Sequence, residues 1–316
     1  MTYSKESIEL LRSKYYFNLR ELEKVLRISD LLEDIFSVKF LKERLSLYGG
    51  TALNFIHFDI PRLSVDLDFN YRHVDRRDWG KVREDVEGRI KEILYLRNYK
   101  DESIKINPSY PLCRFDVSYN NCVGLEDSFK IEIGYMRRYP ILKKDDEADF
   151  FHIGGGESFK VKTPVEGELF ANKFCTCLSR ATPRDVYDVH RISKQNFNRE
   201  IFRKCAVIES LMLRIRLDKI DLTRINSISL DTGLENLLRT GERPNFSEIK
   251  SSVIEFAAEV KNSLTNKEVD LIERFINRKE FSPELIDGKI FHPQLNENPA
   301  IIWVLRSGFN STSTES

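Results

Sequence analysis

The chain has 316 residues, of which 41% are hydrophobic and 32% charged, an ordinary balance for a soluble globular protein and too apolar for general disorder. Fifty basic residues match fifty acidic ones, which excludes a bulk polycation; any nucleic-acid binding must come from a local patch. There is no basic-then-apolar leader, no apolar stretch of bilayer length and no Cys-x-x-Cys among the five cysteines, so a cytoplasmic protein with free thiols is expected, without a membrane span, zinc ribbon or disulfide framework.

Residues 6–44 read as helices, with Ile8, Leu10, Leu11, Leu19, Leu22, Val25 and Leu26 at helical spacing, a cover for the sheet expected after them. Leu45–Tyr48 is strand-like. Gly49-Gly50 then allows a sharp turn, and Thr51 is placed to cap a helix through Leu53, Phe55 and Ile56. After Pro61 the chain alternates with period two: Val65, Leu67 and Phe69 on one face, Asp66, Asp68 and Asn70 on the other. A charged helix is expected from about Asp78 to Asn98, then strands at Cys113–Tyr119, Phe129–Tyr135 and Phe159–Lys162. Gly154-Gly155-Gly156 lacks the Lys-Ser/Thr of a phosphate loop and reads as a flexible hairpin. From Glu166 onward the pattern is helical, with breaks at Thr182-Pro183, Thr240–Pro244 and Phe281–Pro283, and the polar tail Asn310–Ser316 reads as disordered. The expectation is an α+β protein around a small mixed sheet. Its parts are an N-terminal helical cover over 1–44, a core over 45–164 and a helical C-terminal domain over 165–316.

The chemistry concentrates in the core. Asp66 and Asp68 lie on one strand face about 6.5 Å apart. Carboxylates so close repel unless a cation sits between them, and Mg²⁺ held by one or two carboxylates plus substrate phosphates suits the pair. A third carboxylate has two candidates on polar strand faces: Glu132 in Phe129–Tyr135, which we prefer, and Asp116 in Arg114–Val117. Lys173 flanks the apolar face Phe170, Phe174, Cys177 and Leu178 of the next helix. Its ammonium either reaches solvent along that face or, beside a nucleotide cleft, offsets triphosphate charge. Thr182, Pro183 and Asp185 spell a helix start, and Arg184 and Asp188 are spaced to pair along it. Arg137-Arg138, Lys143-Lys144, Arg180, Arg203-Lys204, Arg214 and Arg216 are dispersed cations that could line a groove.

In this order the motifs resemble the AbiEii-type nucleotidyltransferase toxins, which include the MenT toxins, within the DNA-polymerase-β-like superfamily. Gly49-Gly50-Thr51-Ala52-Leu53 with Arg62, Ser64, Asp66 and Asp68 looks like the first motif, and the strand of Glu132 like the second. Lys173, then Arg184-Asp185-Val186-Tyr187-Asp188, looks like the later ones, and His292 to Trp303 is similar to the closing helix. Gly50 stands where the superfamily more often has serine, leaving Thr51 as the nearest hydroxyl, and glutamate rather than aspartate stands third. The resemblance implies transfer of NMP from an NTP, with Mg²⁺ or Mn²⁺, to an acceptor such as the tRNA 3′ end, arresting growth under the control of an AbiEi-like antitoxin. Asp66, Asp68 and Glu132 would hold metal, and Lys173 and Asp185 would complete the catalytic set. Gly49, Gly50, Thr51, Arg62, Ser64, Arg184 and Asp188 would hold nucleotide. Two alternatives stand beside it: transfer to a protein or small molecule, and nucleotide-binding regulation without turnover.

Overall fold

The structure, a computed structural model, describes residues 3–75, 78–155 and 157–309. The tail 310–316 and the third glycine of the Gly154 run lie outside the described residues. Helices α1 (Lys5–Tyr15), α2 (Leu19–Ser37) and α3 (Lys39–Arg44) open the chain. Ser4 and Asn18 cap the first two by accepting the Ser7 and Arg20 N–H groups. Leu22, Val25, Leu32 and Ile35 form the buried stripe of α2.

Strand β1 (Leu45–Tyr48) leads into a short helix, α4 (Gly49–Ala52), which continues as one π turn over Leu53–His57. Then come β2 (Asp66–Tyr71), α5 (Trp79–Leu96, capped by Asp78), β3 (Ile104–Asn107), β4 (Leu112–Asn120) and β5 (Glu126–Gly134). They form a sheet in the order β1-β2-β5-β4-β3, antiparallel except for the parallel β2–β5 pair. The alternation predicted for β2 holds for Leu67 and Phe69, fully buried with Tyr71, against the half-buried Asp66 and Asp68, while Val65 lies half-buried before the strand and Asn70 is buried. With Phe115, Val117, Phe129, Ile131 and Ile133, the residues Leu67, Phe69 and Tyr71 make one apolar sheet face, and α2 packs on β2 and β5. The opposite face is polar.

A second sheet is the hairpin β6 (Asp146–Phe151) and β7 (Ser158–Thr163). It joins β1 through Thr163 Oγ1, which donates to the Leu47 carbonyl at 2.9 Å. The N–H groups of Gly154 and Gly155 both donate to His152 Nδ1 at 3.1 Å, while Nε2 lies 3.0 Å from Asp30 Oδ1. The turn is therefore fastened to the neutral Nε2–H form of a histidine. Strands β3 and β6 are absent from the sequence expectation; β1 matches it, β4 and β7 are longer by one residue at each end, β2 begins only at Asp66, and β5 starts three residues earlier and ends one earlier than expected.

The chain divides into two compact units. The first contains residues 1–138, 146–164 and 232–242; the second contains 139–145, 165–231 and 243–316. In the second, α6 (Glu166–Arg180), α7 (Pro183–Ser193) and α8 (Arg199–Met212) are joined by helices Phe246–Asn262, Asn266–Arg278 and Pro299–Ser307. Its core is aromatic, with Phe174 edge-on to Phe202 at 5.6 Å and to Phe256 at 5.5 Å between centroids. All five cysteines are free, and Cys175, Cys177 and Cys205 are buried there. The α+β class is as expected. No described helix is long and apolar enough to cross a membrane.

Candidate active site

The first cluster grows from the turn after β1. Gly49 adopts φ +74°, which side chains of L-residues rarely occupy, and a Cβ there would collide with Asp68 Oδ2. A Cβ on Gly50 would come within 2.9 Å of both Arg62 Nη2 and Ser64 Oγ. At Gly49 backbone and contact together favour glycine, at Gly50 a side chain would have to push Arg62 or Ser64 aside, and the pair brings the α4 backbone close to Asp68, Arg62 and Ser64. Arg62 is buried and donates through Nη1 to the Leu63 carbonyl at 2.7 Å. Thr51 is not the cap expected from its position. The helix starts two residues earlier, at Gly49, without a side-chain cap; the Thr51 hydroxyl instead lies 2.5 Å from the Asp66 carbonyl oxygen, to which it donates, and 3.0 Å from Ser64 Oγ. That bond ties the turn to the start of β2.

The register of the parallel pair separates the two candidates for the third carboxylate. Asp68 stands opposite Glu132, and Asp66 opposite Lys130, so Glu132 shares the polar face one strand spacing, about 4.8 Å, from Asp68. Asp116 pairs with Lys130 on the far side of β5, two spacings from β2, and its Oδ2 accepts a 3.0 Å bond from Arg114 Nε. Asp66, Asp68 and Glu132 are all partly exposed. The carboxylates of Asp66 and Glu132 make no hydrogen bond or ion pair with a described side chain. Among the described residues, no three His, Cys, Asp or Glu side chains converge closely enough to cage a metal. The donor set nonetheless fits a hard cation that arrives with its nucleotide, because Mg²⁺ takes one or two carboxylates and completes its shell with phosphate oxygens and water.

The second cluster belongs to the helical unit. Lys173 on α6 is buried, and its Nζ lies 3.0 Å from Asp185 Oδ1 and 2.8 Å from Asp188 Oδ2, both carboxylates fully buried. Arg180 grips Asp185 through Nε at 2.6 Å and Nη2 at 3.0 Å, and the Thr182 hydroxyl donates to Oδ2 at 2.6 Å. Burial alone would push the Asp185 carboxyl up, but Lys173 and then Arg180 hold it well below the usual carboxylate range. The expected start of α7 is present, with Thr182 as cap and Pro183 in the first turn. Lys173 does not reach solvent along the apolar face, since the next helix turns two carboxylates onto it. Asp188, expected opposite Arg184, faces Lys173 instead, and Arg184 is exposed. Arg180, which sequence reasoning leaves among the dispersed cations, is part of this cluster; its position five residues before Asp185 across a helix break is the available signal.

The family of the AbiEii nucleotidyl transferase toxin, type IV toxin–antitoxin system, matches residues 30–266, well over half of the chain. The chain belongs to the AbiEii family. AbiEii proteins are nucleotidyltransferase toxins, and the matched span covers the glycine turn, the carboxylate strands and the Lys173 cluster. Among solved structures, MenT4, a nucleotidyltransferase toxin of Mycobacterium tuberculosis, is similar at a TM-score of 0.59 and 15% identity, over 94% of this chain and 98% of that one; the two share a fold. The CdnC–HORMA complex of E. coli matches at a TM-score of 0.27 and 12% identity, over 90% of this chain and 94% of that one. The cyclic AMP-GMP synthase DncV of Vibrio cholerae matches at 0.21 and 12%, over 88% and 82%. No curated protein matches this AbiEii chain in sequence.

Proposed function

We propose that this AbiEii toxin transfers NMP from an NTP to the 3′ end of an RNA, tRNA in the first instance, in the cytoplasm, and that an AbiEi-like antitoxin restrains it. The observation that carries the reading is the β2–β5 register, which sets Asp68 beside Glu132 and two residues from Asp66, against a glycine turn whose backbone stands close to Asp68.

In this reading the attacking 3′-hydroxyl forms a bond to the α-phosphorus as the bond to the β-phosphate oxygen breaks, and pyrophosphate leaves. Asp66 and Asp68, with Glu132 beside Asp68, would hold the divalent cation, Mg²⁺ or Mn²⁺, together with phosphate oxygens and water; such an ion would supply neutralisation of phosphate charge and a lower pKa for the attacking hydroxyl. Amides of the Gly49-Gly50 turn, with Ser64 and Arg62, receive the terminal phosphates, the two glycines letting the backbone approach them closely. Thr51 keeps that turn at a fixed distance from Asp66. Asp185 and Asp188 hold Lys173 in place within the helical unit, and it is the family resemblance that assigns Lys173 and Arg184 to the nucleotide. Such chemistry is mostly positioning and electrostatics, so each carboxylate contributes orders of magnitude to rate.

The test is incubation of the protein with Mg²⁺, each α-labelled NTP in turn and total tRNA, beside Asp66→Ala, read on a denaturing gel. Label on tRNA with the wild type alone is the expected result. No label with any NTP, from protein shown to be folded, would overturn the RNA acceptor and turn the search to protein or small-molecule acceptors.

A further inference from the structure

The polar face of the five-stranded sheet carries more than the carboxylates. Register places its side chains in two rows that run across the strands: Asp66, Lys130, Asp116 and Lys105 in one, Asp68, Glu132, Arg114 and Asn107 in the other. Lys130 and Lys105 are exposed, and neither makes a hydrogen bond or ion pair with a described residue. Arg114 spends its Nε on Asp116, the one carboxylate of these two rows outside the proposed metal site. What remains is cationic: Lys130 about 4.8 Å from the Asp66 position and Lys105 about 14 Å from it, along one line.

Asp116 stands between the two lysines, but Arg114 already offsets its charge, so their ammonium groups are left to match a polyanion laid across the strands. The line begins at the carboxylates, where the proposed reaction needs a terminal hydroxyl, and leads away from them toward the β3 edge. We infer that this face is the acceptor platform: the single-stranded 3′ end of the RNA crosses the strands from β3 to β2, with Lys105 and Lys130 on its phosphates and its last hydroxyl delivered to Asp66, Asp68 and Glu132. The inference rests on the proposed transfer to RNA, but it assigns that binding to a surface and to two lysines that take no part in the chemistry. Contacts of this kind carry no base selectivity; they fix the path of the strand.

The experiment measures binding apart from turnover. Fluorescence anisotropy with a single-stranded RNA oligonucleotide is titrated against wild type, Lys130→Glu, Lys105→Glu, the double variant and Lys39→Glu, a control at a side chain 90% exposed on α3. Each single reversal should weaken RNA binding about tenfold at low salt, and the double variant should lower the slope of log affinity against log salt by about 1.4, since each lost phosphate contact on a single strand is worth roughly 0.7. Affinity for a fluorescent NTP analogue and the thermal melt should stay at wild-type values. Equal RNA affinity in wild type and double variant overturns the platform even if tRNA becomes labelled. Absence of RNA binding by folded wild type overturns it too. Failure of the labelling assay with binding intact would instead strike the proposed reaction.

Discussion

Replacing Lys173 by Met keeps most of the apolar stem and removes the ammonium that Asp185 and Asp188 approach at 3.0 and 2.8 Å. Removing one partner of a buried ion pair costs about 3–5 kcal/mol, because the other charge is left uncompensated. Asp185 keeps its bonds from Arg180 and Thr182, so the lower end applies, about 3 kcal/mol. At roughly 2–4 °C per kcal/mol, the helical unit should melt about 6–12 °C lower at pH 7, by calorimetry or circular dichroism. The effect has a pH signature. In the wild type the folded Asp185 pKa lies below its unfolded value, despite burial, because of Lys173 and Arg180. That stability is present above about pH 4 and is lost as pH falls below it. Without Lys173 the buried Asp185 carboxyl protonates more readily, so the gap between variant and wild type should narrow as pH falls below about 4. Adding Asp188→Asn should recover part of the loss at pH 7. A variant melting within about 1 °C of wild type at pH 7 would refute the ionic account of this cluster.

Asp66→Ala should abolish NMP transfer, by at least about a hundredfold, while leaving the melt unchanged, because its carboxylate holds no described partner to lose; a folded variant with near-native transfer would sink the site. Glu132→Gln should lose about as much, whereas Asp116→Asn should stay within about threefold of wild type, and the reverse order in a steady-state assay would reassign the third carboxylate. Gly49→Ala should cost about 1–2 kcal/mol from its positive φ alone and should also weaken NTP binding, since the new Cβ meets Asp68. Burial lowers the pKa of His57 to about 4, against an opposing pull from Asp146. Its unfolded form binds the proton first, so stability should decline as pH falls from about 6.5 toward 4, by about 2 kcal/mol, and His57→Gln should flatten that slope in urea melts.

The elements that sequence reasoning finds are those whose pattern is local. The β2 strand is legible because Leu67 and Phe69 alternate with Asp66 and Asp68, and α7 because Thr182-Pro183 punctuates its start. Strand β3 offers only Ile-Lys-Ile-Asn, and β6 begins with an acidic run, so neither presents an alternation long enough to see. The choice between Glu132 and Asp116 cannot be made from either strand, since both are polar positions flanked by apolar ones. It depends on strand order, and the β5 strand reaches β2 across some sixty residues of intervening chain. The ion pairs of Lys173 are not legible from spacing for the same reason: its partners arrive from the next helix, after a break, and helical spacing within α6 says nothing of them. Thr51 is a sound cap by residue type, but Tyr48 turns the chain earlier, and the threonine hydroxyl finds the Asp66 carbonyl instead.

The burial of the Lys173 cluster has a consequence for how the molecule responds to its medium. Dissolved ions shield charges over about 8 Å at physiological strength, but only where water reaches them. Lys173, Asp185 and Asp188 are out of that reach, while Lys130 and Lys105 stand fully within it. Raising the salt should therefore loosen the grip on a polyanion well before it disturbs the ionic knot inside the helices, so that the toxin can be silenced by brine and revived by dilution without passing through the unfolded chain.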